Sequence, residues 1–188
     1  MKYKSLDEVF TTPMLFSKTH KYEYSKGELM YVEVIGNRSK VLKDTLAHAV
    51  EYYCSMLMSK RMCQSLEVYV ILKKKLENDF AGYCSYLDHH KGIRQFEIEL
   101  SKGQTVRELL SSLAHEVVHL KQFATGELKD TMRPGNVSVW HGEHINEDKV
   151  DYWDLPFEIE AYGREKGLYT RYAIKEGISK EFLNSKVR

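Results

Sequence analysis

The feature that most constrains this chain is the segment spanning residues 105–126. Thr105 and Glu108 have the spacing of a capping box, in which each side chain satisfies the other residue's backbone N–H at a helix start. Behind them Val106, Leu109 or Leu110, Leu113, Val117, Leu120 and Ala124 recur at steps of three and four, the apolar stripe of an amphipathic helix. Gly126 stands where a left-handed C-cap is expected. Together these marks predict one helix over residues 106–125, about 30 Å long.

Inside that helix lies His115-Glu116-Val117-Val118-His119. Two histidines at i and i+4 project from one face a turn apart, so both imidazoles can reach one metal ion. Glu116 sits about 100° around the helix from His115, beside the ion's place, where it can hydrogen-bond a water. Val117 turns to the core and holds the helix down. A catalytic zinc takes three protein ligands and keeps one position open. The extended pattern that supplies a third histidine from the same stretch needs Gly and His where Gln122 and Thr125 stand, so that class is excluded.

The third ligand then comes from further along, among His141, His144, Asp148, Asp151, Asp154, Glu158 and Glu160. Pro156 suits the first turn of a following helix. On it Glu158 and Glu160 are about 200° apart, so only one faces the metal. Glu160 has Arg164 at i+4 for an ordinary ion pair, whereas Glu158 shares its side with the small Ala161. This favours Glu158, with Glu160 the alternative.

The rest of the chain is consistent with a compact protein around that helix. Of 188 residues, 43% are hydrophobic and 29% charged, with 3 prolines and 11 glycines, a globular balance rather than a disordered or fibrous one. No linker or repeat divides it. We expect one domain over residues 1–188: an N-terminal arm and hairpin over 1–38, the hairpin in 21–36 around Lys26-Gly27, then a core over 39–188. Ser39 is positioned to cap a helix running to near Cys63. Strands are expected over 66–72, 81–87 and 96–100, the last with Phe96, Ile98 and Leu100 on one face, and a turn at His89-His90. The expected class is α+β, a small, mainly antiparallel sheet packed against the metal helix and further helices.

The net charge of +1 supplies no global field for nucleic acid, and Lys73-Lys74-Lys75 reads as a solvated turn. Cys54, Cys63 and Cys84 lack zinc-ribbon spacing and read as packing thiols of a reducing compartment. The start of the chain has no apolar run and no stretch is long enough to span a bilayer, so a cytoplasmic protein without membrane partners is expected. Trp140 and Trp153 read as core or cleft-wall aromatics, and Tyr152 and Tyr162 as candidate donors to an oxyanion.

Three stretches carry a resemblance: His115 through Glu127, Trp140-His141-Gly142, and Tyr152 through Ala161. Over roughly residues 66–167 the chain resembles small phage-encoded SprT-like or gluzincin-type metallopeptidases. The resemblance implies a minimal zincin domain with Zn²⁺ and a glutamate from a later helix as third ligand. In ImmA-type relatives that glutamate lies three residues before an alanine, which maps onto Glu158 and Ala161; the acid or amide they often place next is here Tyr162. The expectation is a zinc metallopeptidase acting on peptides or unfolded protein, with His115, His119 and Glu158 on the metal and Glu116 as general base. The strand around Phe96 to Leu100 is expected to pair with the peptide. The alternative is a catalytically silent, zinc-stabilised protein-binding factor of phage origin.

Overall fold

The computed structural model describes residues 30–87, 92–131 and 135–188. It is an α+β fold. The larger sheet holds β1 (Tyr31–Ile35), β2 (Glu67–Lys73), β3 (Gly82–Tyr86) and β4 (Gln95–Ser101) in the order β1-β2-β4-β3. Helices α1 (Lys40–Leu57), α2 (Lys60–Cys63), α3 (Val106–Thr125), α4 (Pro156–Lys175) and α5 (Lys180–Leu183) accompany it. A smaller antiparallel sheet, β5 (Leu128–Asp130), β6 (Val137–Trp140) and β7 (Glu143–Asn146), follows α3. None of the described helices is long and apolar enough to cross a membrane.

The larger sheet is not mainly antiparallel. β1 and β2 pair in parallel, as do β2 and β4, and only β3 runs antiparallel to β4. The cause is connectivity: α1 carries the chain from the end of β1 back to the start of β2, a crossover that leaves neighbouring strands parallel. The chain then passes to the far edge to form β3 before β4 inserts between β2 and β3.

Two further expectations change. Tyr31–Ile35 is the outer strand of the larger sheet among the described residues, with Met30 and Val34 buried in the main core, so the boundary drawn at residue 38 cuts through the fold. Its described partner is β2, in parallel; the remainder of the expected hairpin, the N-terminal arm and the His89-His90 turn lie outside the described residues. The helix expected to reach Cys63 ends at Leu57, because Ser59 accepts a hydrogen bond from the Met62 N–H and starts α2 afresh.

Alternation along β2 and β4 buries Val68, Val70, Leu72, Phe96, Ile98 and Leu100 on one face. That face meets Leu46, Val50 and Tyr53 of α1 and Leu109, Leu113, Val117 and Leu120 of α3 in a single cluster. The opposite face is partly wet, with Gln95 donating to Glu67 at 2.9 Å and Lys73 paired with Glu99. Lys75 pairs with Asp79. The three cysteines are free; Cys54 and Cys84 are buried, and burial pushes both thiols well up.

Helix α3 is pinned at both ends. Its capping box is complete: the Thr105 N–H donates to Glu108 Oε2 at 2.7 Å and the Glu108 N–H to Thr105 Oγ1 at 3.2 Å. The Val106 N–H donates to Ser185 C=O and the Gly103 N–H to Val187 C=O, so the C-terminal segment clamps the same turn. Gly126 closes the helix at φ 75°, left-handed. Thr105→Ala removes one cap while the Ser185 clamp remains. It is expected to cost about 1 kcal/mol, read as a melting temperature about 2–4 °C lower.

Candidate metal centre

His115 and His119 leave α3 on one face, with ring centroids 4.8 Å apart and their Nε2 atoms at 3.1 Å. Glu158 enters from the first turn of α4, where the helix N-terminus favours a carboxylate. Pro156 occupies that turn, and Ala161, fully buried one turn on, lets the helices approach. Glu158 Oε2 lies 3.3 Å from His115 Nε2, and Oε1 lies 3.4 Å from His119 Nε2. With one ligand atom from each residue, all lie within 4.8 Å of one another. All three residues are at most 9% exposed.

Both imidazoles are held from behind. His115 Nδ1–H donates to Glu165 Oε2 at 3.1 Å, since an ionised carboxylate can only accept. Gln122 spends its amide N–H groups on Phe157 C=O at 2.9 Å and Glu160 Oε2 at 3.1 Å. Its oxygen therefore faces His119, whose Nδ1–H donates to it at 2.9 Å. These bonds leave both Nε2 lone pairs aimed at the carboxylate of Glu158. Such outer partners fix ring orientation at metal-binding histidines.

Three lone-pair donors facing one another inside a protein repel unless a cation sits among them. Ligands at about 2.0–2.1 Å from a tetrahedral ion lie about 3.3–3.4 Å apart, close to the 3.1 Å between the two Nε2 atoms, each of which stands 3.3 or 3.4 Å from a different oxygen of Glu158. The buried His115–His119–Glu158 group can hold a metal ion. Without one, a proton performs the same task. Burial opposes charge on His115, but the hydrogen bonds it donates to the Glu158 and Glu165 carboxylates outweigh it and raise its pKa to about 9. Burial likewise disfavours the Glu158 carboxylate, yet hydrogen bonds from His115, His119 and Tyr152 bring it down to about 2.

Glu116 lies beside this group. It is 6% exposed and, among the described residues, makes no hydrogen bond. Burial lifts its carboxyl to about 7, with His119 and His115 pulling the other way. A carboxylate of that basicity, with no hydrogen bond to another described residue, suits proton transfer near neutral pH.

Glu160 points elsewhere. Lys121 Nζ, Gln122 Nε2 and Arg164 Nε donate to it at 3.0, 3.1 and 2.8 Å. His141 and His144 are exposed on the β6–β7 hairpin, and Asp148, Asp151 and Asp154 are exposed, Asp151 capping the Tyr152–Asp154 turn. None of these joins the triad. Tyr152 donates to Glu158 Oε2 at 2.7 Å, and the Tyr162 ring stands 4.5 Å from that of His115. Trp140 packs near Phe157, whereas Trp153 is 65% exposed against Tyr162. Glu165 and Gln122 escaped the sequence reading, although Glu165 is seven residues after Glu158 and Gln122 three after His119, both same-face helix spacings.

A cleft of about 720 Å³ opens over the triad, between β3 on one side and Leu128, Asp130 and Val137 of the small sheet on the other. A second recess, about 660 Å³, continues it past Gly82 and Tyr152 toward Gln104 and Ser112. The strand along the cleft is β3, not β4. β4 is interior, hydrogen-bonded on both sides, and so has no free edge for a peptide. Ser101 N–H donates to Ala81 C=O and Leu87 N–H to Gln95 C=O. By antiparallel alternation, residues 81, 83, 85 and 87 turn their backbone groups to β4, and Gly82, Cys84 and Tyr86 present theirs at the outer edge, which no other described strand pairs. No protein-family model, curated protein or solved structure matches this chain.

Proposed function

We propose that this chain is a zinc-dependent metallopeptidase with a minimal zincin-like fold, akin to the SprT-like and gluzincin enzymes that its sequence resembles. The observation that carries the reading is the convergence of His115, His119 and Glu158 at 3.1–3.4 Å, with Glu116, which makes no hydrogen bond among the described residues, alongside. Two nitrogens and one carboxylate are a zinc donor set that leaves a fourth position open. Bound there, Zn²⁺ would lower the pKa of water and polarise a scissile carbonyl.

The chain's own residues do the rest. Glu116 takes the proton of the attacking water and returns it to the leaving amine. Glu165 and Gln122 keep Nε2 of each histidine turned inward. An extended peptide lies along β3, exchanging backbone hydrogen bonds with Gly82, Cys84 and Tyr86. That arrangement suits a peptide or an unfolded protein segment, whose backbone is free to pair.

The test is direct. Purified protein is expected to carry about one zinc per chain by elemental analysis and to hydrolyse a denatured protein. A chelator abolishes turnover and added Zn²⁺ restores it. Zinc without hydrolysis across a diverse peptide library transfers the reading to a silent, zinc-stabilised binding factor, and protein without zinc removes both.

A further inference from the structure

The inward face of β3 presents Gly82, Cys84 and Tyr86 in steps of two. It lies along the face of α3 that carries Glu116 and, two turns on, Phe123. Tyr86 meets Phe123 with ring centroids 5.3 Å apart. At the other end Gly82 meets Glu116. A Cβ built at Gly82 would stand 2.7 Å from Glu116 Oε1, 2.9 Å from Cγ and 3.1 Å from Cδ. Side-chain size on this strand therefore falls to nothing opposite Glu116.

The backbone does not require glycine at this position. Gly82 is not among the residues with positive φ, so alanine is conformationally acceptable and by itself favoured through the unfolded chain. What excludes a side chain is the carboxylate. Resting on the proposed peptidase mechanism, we propose that Gly82 is a positioning residue, whose bare Cα seats the Glu116 carboxylate between the edge strand and the two histidines.

A methyl group at 82 needs an ordinary van der Waals contact, and Glu116, buried against His115 and His119, can yield only by shifting its carboxylate by several tenths of an ångström or more. A misplacement of about 1 Å in a reacting group costs about 10²-fold in rate. The three atoms nearest that methyl all belong to Glu116 and none to a metal ligand, so the methyl points at Glu116 rather than at the outer edge.

Gly82→Ala is therefore expected to keep its zinc, leave KM within about twofold and lower kcat by about 10–100-fold. A second readout needs no activity: the melting temperatures of wild type, Gly82→Ala, Glu116→Ala and the double variant, all metal-free. Gly82→Ala lowers the melting temperature beside Glu116 and leaves it unchanged or raises it beside Ala at 116, a difference of about 2–4 °C or more. Equal shifts in both backgrounds overturn the proposal, as does zinc loss in Gly82→Ala, which would make the residue a support of the ligands. If the thermal coupling is found and the wild type cleaves no peptide, the seat stands and the peptidase reading fails.

Discussion

Replacing Glu116 by glutamine is expected to abolish peptide hydrolysis and leave the metal in place. Glutamine has nearly the same volume and can still hydrogen-bond, but it cannot take a proton at neutral pH. Glu116 contributes no ligand atom to the His115–His119–Glu158 group, so zinc content is expected to match the wild type. The kcat/KM is expected to fall by at least the roughly 10²–10⁴-fold that general acid–base catalysis supplies. Zinc and kcat/KM are measured on one preparation of each protein. Equal rates from wild type and Glu116→Gln would dismiss Glu116 as the base.

The same substitution has a thermal signature with a definite sign. Burial raises the Glu116 carboxyl from its usual 4.5 to about 7 in the fold. A raised acid pKa means that ionisation opposes folding: the cost is absent below about 4.5, grows as pH rises and is fully present above about 7. Glutamine never ionises. Metal-free Glu116→Gln is therefore expected to melt above metal-free wild type at pH 8, with the gap closing toward pH 4.5. Such a gap marks stability given up for function at this position, and a constant difference across that range would show that Glu116 does not titrate as its burial requires.

What could be read in the sequence was local. Thr105, Glu108 and Gly126 define α3 because caps and apolar period act within a turn or two, and the structure closes that helix on those residues. Pro156 opens α4 for the same reason. Strand order was beyond such reasoning. β4 precedes the metal helix in the chain, which made it the expected cleft edge, yet it is interior because parallel pairing with β2 depends on contacts 28 residues apart, such as Val68 with Phe96. At the site, two same-face histidines followed from spacing alone. The partners of the carboxylates did not, because Glu158 and Glu160 are distinguished by what α3 offers each: imidazoles to one, Lys121 and Gln122 to the other.

That distinction carries the second large expected effect. Alanine at His115, His119 or Glu158 leaves two protein ligands and is expected to weaken zinc binding beyond the roughly 10–100-fold that outer partners control. Glu158→Ala has two further consequences: the Tyr152 hydroxyl loses its 2.7 Å acceptor, and the histidines lose the carboxylate facing them. Glu160→Ala acts differently. Lys121 keeps Glu127 as a partner, while Gln122 loses one of its two anchors and retains the other on Phe157 C=O. Gln122 still orients His119, so zinc affinity is expected to fall no further than the outer-partner range. The remaining cost is about 1–3 kcal/mol of stability from hydrogen bonds to a charged group. Zinc competition with a chromogenic chelator, run beside thermal melting, separates the two variants. Retention by Glu158→Ala with loss in Glu160→Ala would move the third ligand two residues along α4, and retention in both would require a donor from outside that helix turn.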